Sequence, residues 1–488
     1  MVGLLADIRR RYIDLVSLSI SSYRDYISLG AEARLALIGS LASIVSSILI
    51  IIFIEIHYKF ELSFLIAVVG TLLSSYKVIE RISKSLERRK GLVEELPYLM
   101  FMASVTAKTG MELIEALTFI ATNDSKGRVF RYFSGISKRL VNISKYISIY
   151  DALENISGIP RAVKRVFLSY IASIAQGIGV EALRSMGAEM IRESSKQISR
   201  IIDLSAQGGL LAVMIMTTAP MLILGISPIV GGYIALSAAI MITIATPLIL
   251  IAIPPTPYPF RQIPVLSPKL YSILRALSIS TLIGLYISLY IQMLIQPVNL
   301  PSREPIMSLI YIFSLLLIVL GLIFTAIYIF YIRNMRSIRD LLEAAGSYVR
   351  VYRTLAGFDI DRYLSGIKLS VPWILSYIAL SVRFLMERGE IDPYVFSRFS
   401  DEIGDILSKS VNKLFTSSIP LASSLLQPIF LSQIILMMHV GELYTFILSA
   451  VSILAASLIS SKVFFGEIYN TLIPGISMIL LSLLMPLR

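Results

Sequence analysis

Two histidines, His57 and His439, and no cysteines are all that 488 residues offer as soft ligands or neutral-pH bases. Disulfides and thiolate metal sites are therefore excluded. Met437, Met438 and His439 have soft-metal character. Methionines in an apolar run are core filler first, however, so the expected reading is a membrane-edge histidine beside packed methionines. No Walker A pattern is present, which removes P-loop nucleotide hydrolysis, and no paired carboxylates or nucleophile elbow supply acid–base or acyl chemistry. No catalytic residue, cofactor or metal is expected. What remains is charge in columns. Arg192, Lys196 and Arg200 recur every four residues, which on a helix makes either a solvated face or a receptor for an acidic protein surface. Lys77, Arg81, Lys84, Arg88, Arg89 and Lys90 form a second column, suited first to anionic lipid headgroups and second to a partner.

The elements that must carry these columns follow from composition. With 56% apolar residues, 16% charged residues and a mean hydropathy of +0.78, the chain exceeds what a soluble core hides. The fold class is an all-α polytopic membrane protein of about nine transmembrane helices with two cytoplasmic helical inserts. The N-terminal segment 1–34, MVGLLADIRRRYIDL onward, lacks an apolar h-region and a cleavage site and is expected to be a retained cytoplasmic amphipathic segment.

Residues 35–75 hold a transmembrane hairpin, and 76–207 form the first charged block, with 20 of the 44 basic residues against 13 of the 32 acids. Its opening helix is expected from Glu94 to Lys108, with Glu94 and Glu95 at the favourable end of the macrodipole and Pro97 in the first turn. The uncharged run from Leu96 to Ala107 rises only about 18 Å as helix, too little to span, so it should be the core helix of a bundle. After Thr109 and Gly110 a second helix, 111–122, is expected to bury Ile114, Leu117, Thr118 and Ala121 and turn Glu112 and Glu115 away. Four more are expected at 126–141, 149–157, 160–176 and 180–205, the last two separated by Gly177 and Gly179. In the last, Leu183, Gly187, Met190, Ile191, Ser194, Ile198 and Ile201 make the buried stripe. The first block should be a six-helix bundle.

A hairpin at 208–253 follows, its spans joined at Ser227 and Pro228 and containing Pro220 and Pro247. Prolines inside spans imply that neighbouring helices cover the freed carbonyls. Then come a Pro-rich loop, 254–275, with Arg261, Lys269 and Arg275 and no acid, a hairpin at 276–332, a second insert at 333–417, and three spans in 418–488. Pro372 and Trp373 with their apolar run echo Pro97 and Tyr98, and the shared order of spans and inserts argues for an ancestral duplication with a worn second copy. Forty of 44 basic residues fall in segments placed inside by this topology, so the protein is expected in the cell membrane with its N-terminus and both inserts cytoplasmic. The spans carry no acid or base at mid-depth, which disfavours an ion-coupled pump. A net charge of +12 invites nucleic acid, but no nucleic-acid motif accompanies it.

The run ELPYLMFMASVTAKTGMELIEALTFIA, followed by SIYDALENIS and GIGVEALRSMGAEM, resembles the cytoplasmic domain of the type II secretion system F family. The matching positions are Glu95, Leu96, Pro97, Gly110, Glu115, Ala116, Leu117 and Gly179, all structural in character. Two inserts in a nine-span chain further resemble the archaeal members, the platform proteins of archaella and archaeal type IV pili. The second insert departs from the pattern, with no Ala-Leu pair following its Gly389. The resemblance implies no enzyme but a membrane platform that couples a cytosolic secretion ATPase to insertion of pilin or archaellin subunits in a filament, with a homodimer as a possible form. The residues expected to meet the ATPase are Arg192, Lys196 and Arg200, and then Arg81, Lys84, Arg88 and Arg89. The rival classes are a channel or exporter subunit gated by its cytoplasmic blocks, which needs polar stripes on several spans, and a lipid-directed enzyme, which needs an interfacial acid, base or metal cluster. Neither feature is found in the sequence.

Overall fold

The computed structural model describes residues 85–107, 112–124, 127–143, 151, 159–230, 232–264, 268–295, 304–365, 370–389, 391–438 and 442–484. The hairpin expected in 35–75, Arg81, Lys84, Gly110 and His439 lie outside these residues. The chain divides after Met190 into two compact units.

In the first unit, helix α1 covers 85–105, α2 Glu112–Asn123, α3 Phe133–Ile143 and α4 Arg161–Ala175, and α5 begins at Gly179. The uncharged run is the core, as its length requires: Leu99, Met100, Ala103 and Ala107 are sealed from solvent. The start of α1 differs from expectation. Glu94, Glu95 and Pro97 lie inside a helix already running at residue 85. Proline removes one N–H bond there, and burial on both sides of it outweighs that loss.

Glu95 does not serve its own helix. Its buried carboxylate accepts the backbone N–H of Tyr132 at 3.1 Å and of Phe133 at 2.9 Å, and so caps α3. Asp124 gathers the N–H groups of Arg128, Val129 and Phe130 at 2.8, 3.1 and 2.7 Å. Burial pushes its carboxyl up more than these donors pull it down. The two carboxylates fold 127–132 into a loop, so α3 starts at Phe133 rather than 126.

Helix α2 also corrects the expected stripe: Glu112 is buried and Thr118 exposed, with Leu113, Ala116, Leu117 and Ile120 facing the core. Pro160 caps α4 from extended backbone, and Gly177 turns the chain at φ +77°. Where α5 crosses α1, a methyl group on Gly187 would lie 2.9 Å from the Met100 carbonyl, so only glycine permits that approach.

The second unit is a helical bundle. Helix α5 runs on to Val230, α6 is Gly232–Ala252, α7 Pro268–Ile295, α8 Glu304–Tyr352, α9 Ile360–Leu364, α10 Trp373–Met386, α11 Pro393–Met438, α12 Glu442–Phe465 and α13 Leu472–Leu484. Among the described residues five helical stretches are long and apolar enough to cross a membrane: Gly179–Ile226, Lys269–Tyr290, Ser308–Tyr352, Pro393–Gln433 and Thr445–Phe465. Ser237–Ala252 and Leu472–Leu484 are shorter apolar helices.

Several joints read from the sequence are absent. Helix α5 passes through Ser227 and Pro228, α8 joins the sixth expected span to the second insert, and α11 joins that insert to the seventh. Helix α5 likewise runs on through Gly209, which packs against Val463 of α12.

Helix α12 is the centre. Its apolar window is 94% buried, against 33–39% for the other four. Serines at 449, 452, 457, 460 and 461 let neighbours approach it closely. Around it Leu222, Met241, Leu248, Ile251 and Leu315 face outward, as lipid contact demands. The freed-carbonyl argument holds at Pro220: the Met216 carbonyl, left without its helical N–H, accepts Gln427 Nε2 at 3.1 Å and the Ser452 hydroxyl. Helices α8 and α13 meet at glycine, where a methyl group on Gly475 would lie 2.9 Å from Ile318 N.

At one end of the bundle the Pro-rich loop pairs with the second insert, β1 (Gln262–Pro264) running antiparallel to β2 (Ser370–Pro372). Tyr258 then packs on Trp373, ring centroids 4.6 Å apart. The Pro372 echo differs from its expected partner, because Pro372 is an N-cap in extended backbone while Pro97 is inside a helix.

Candidate functional site

Helix α1 places Arg88 on an exposed surface and Arg89 half-buried. Acids interrupt this column. Glu87 accepts Arg131 at 3.2 Å and the Tyr132 hydroxyl at 2.8 Å, and Lys90 lies 3.8 Å from Glu94. The column is therefore partly a structural brace. The motif positions behind it are architectural: Leu96, Ala116 and Leu117 are buried, Glu95 caps α3, Glu115 is half-exposed, and Gly179 opens α5. Arg184 donates to the Ala107 carbonyl at 2.8 Å, closing the end of the core segment.

The column Arg192, Lys196, Arg200 lies on α5, in the second unit. Its three members are exposed, but they are not equivalent. Arg192 Nε reaches Glu402 of α11 at 2.9 Å while Lys196 and Arg200 point to solvent. Three residues after Arg192, the Ser195 hydroxyl donates to Asp405 at 2.5 Å, and Lys409 bridges Asp405 at 2.8 Å and the Ser195 carbonyl at 3.0 Å. Lower down, Met216 meets Gln427.

The partners stay 210 or 211 positions apart from 192 with 402 to 216 with 427, so α5 and α11 run parallel and in register. That is the arrangement expected when two repeats are related by an axis along the bundle. Glu402, Asp405 and Lys409 were missed as partners in the sequence. The available signal was the shared order of insert and span, which places these two helices as counterparts.

Two further charged sites fasten the ends of spans. Arg275 of α7 bonds Glu467 at 3.0 Å between the rings of Tyr271 and Tyr469, at 4.2 and 4.4 Å. This cluster holds the turn between α12 and α13, where Gly466 takes φ +79°. Lys462 donates to the carbonyls of Leu250 and, at 3.0 Å, Ile253, supplying the positive charge that the end of α6 favours. Among the described residues no cluster of three or more His, Cys, Asp or Glu side chains has metal-site geometry.

Comparison with protein-family models, with curated proteins and with solved structures found no match. The functional reading therefore rests on these helices. Within the second unit α8 and α11 run without a break from charged into apolar sequence, and α5 carries an exposed basic pair, Lys196 and Arg200.

Proposed function

We propose that this chain is the membrane platform of an archaeal type IV pilus or archaellum machine, with nine spans, cytoplasmic inserts and no catalytic step of its own. It would couple a cytosolic secretion ATPase to the insertion of pilin or archaellin subunits. The observation that carries the reading is the length of three unbroken helices. Helices α5, α8 and α11 contain 52, 49 and 46 residues. At 1.5 Å per residue these are rods of roughly 70–80 Å, more than twice the ~30 Å hydrocarbon layer. A helix that leaves the membrane without a joint passes displacement from a soluble motor to the spans; a hinged one dissipates it. The central helix favours the same side of the choice against a channel, because α12 buries its own serines and aliphatic side chains against neighbouring helices where a conduit needs a wetted stripe.

In this reading Lys196 and Arg200 receive an acidic surface of the ATPase, and Arg192 contributes while holding Glu402. The test is binding of the ATPase to the full-length protein in detergent. Reversing Lys196 and Arg200 to Glu leaves the Arg192 pair intact and should weaken binding at low salt, with wild-type binding falling as ionic strength rises. Salt-insensitive binding, or full binding by the reversed pair, would move the contact elsewhere.

A further inference from the structure

A cavity of about 690 Å³ opens in the second unit between α8 and α11. Its floor is apolar and aromatic, formed by Tyr328, Tyr331, Leu414 and Phe465, and its charged lining consists of Arg336, Arg339, Glu343, Asp401 and Lys413. The level is fixed by sequence. On α8 the uncharged run ends at Ile332, four residues before Arg336, and on α11 Lys413 is the last charge before the uncharged run to Met438. The cavity thus spans the depth at which apolar spans give way to charged helix, where lipid headgroups lie.

The charges do not balance. Arg339 and Glu343 neutralise one another at 2.7 Å. Asp401 offsets one of the two remaining cations, Arg336 and Lys413. Glu467, which Lys413 feels electrostatically, is committed to Arg275. Lys413 is half-buried and shows no hydrogen bond or ion pair among the described residues, so one positive charge is left over in a partly dry site. An enclosed cation without a counter-ion is costly, and a single negative charge supplied from outside would offset it.

We infer that this cavity binds the phosphodiester headgroup of an anionic membrane lipid, its phosphate against Lys413 and Arg336 and the start of an acyl chain on the Tyr328, Leu414 and Phe465 floor. The inference needs only a membrane protein and stands apart from the filament reading. A soluble partner is the weaker occupant, because an aromatic floor at headgroup depth suits acyl carbon.

The experiment uses the full-length protein in a zwitterionic detergent, with lipid retention read by native mass spectrometry and thermal stability read in parallel. Phosphatidylglycerol, phosphatidylcholine and inorganic phosphate are added separately. Phosphatidylglycerol should be retained about tenfold more than phosphatidylcholine and should raise the melting temperature, the scale expected for two nearby cations. The preference should vanish in Lys413→Gln and fall in Arg336→Gln, yet survive in Lys413→Arg. Without lipid, Lys413→Gln should be as stable as wild type or more so, which separates loss of binding from loss of fold. Equal retention of the two lipids, unchanged preference in Lys413→Gln, or equal protection by inorganic phosphate would overturn the assignment, the last by making it a free-anion site.

Discussion

The Met216 carbonyl gives the sharpest test of how the spans are held. Pro220 cannot donate to it, and Gln427 at 3.1 Å and the Ser452 hydroxyl do so instead, tying α5, α11 and α12 together in a fully buried position. Interhelical hydrogen bonds in membranes average about 0.6 kcal/mol and reach nearly 2. Gln427→Leu alone should cost little, about 0.5 kcal/mol, because Ser452 still covers the carbonyl and the buried Gln427 Oε1, which lacks a partner, is removed as well. Gln427→Leu with Ser452→Ala orphans the carbonyl and should cost about 2 kcal/mol. In a Pro220→Ala background the restored helical N–H fills the same acceptor, so the double change should then cost under about 0.5 kcal/mol, a coupling near 1.5. Equilibrium unfolding of the full-length protein in mixed micelles measures all the corners of this cycle. An equal loss with and without proline would refute the claim that the amide and hydroxyl are there to serve the proline.

Leu99→Asp places an unpaired charge at a fully buried position of α1 and should destabilise the first unit by several kcal/mol, whereas Arg165→Asp on an exposed face of α4 should not. Limited proteolysis of the two full-length variants distinguishes them, and equal resistance would count against the core assignment. The proposed cytoplasmic placement of the first insert makes a separate prediction. Its sequons at Asn123, Asn142 and Asn155 should remain bare in a host that glycosylates exported protein, and a mass shift removed by deglycosylation would invert the topology.

Hydropathy was legible in the sequence, because it depends on residue type within one segment. The short core run from Leu96 to Ala107 and the apolar helices of the second unit came from that reasoning. Helix ends were less legible. Glu95 looks like a local dipole partner until the fold brings Tyr132 and Phe133 to it, 37 and 38 positions away. Likewise the gap between 205 and 209 looks like a joint only while Val463 is unseen against Gly209.

The basic column showed a partial version of the same lesson. Periodicity found Arg192, Lys196 and Arg200 on one helix, but the commitment of Arg192 to Glu402 depends on the parallel packing of α5 with α11. Pro220 ran the other way. There a local rule, that a buried proline needs donors from neighbours, anticipated a contact between residues more than 200 positions apart.

The most direct measurement of the platform reading is the number of surface filaments, counted by electron microscopy, on cells from which this chain has been deleted and then restored. The intact chain should bring filaments back. A chain with four glycines inserted after Leu407, in the part of the insert that α11 carries toward the span, should reach the membrane and bind the ATPase but leave the cells bare, because the rod is softened ahead of the bilayer. Filaments on the deletion strain, or wild-type numbers with the softened helix, would contradict the account.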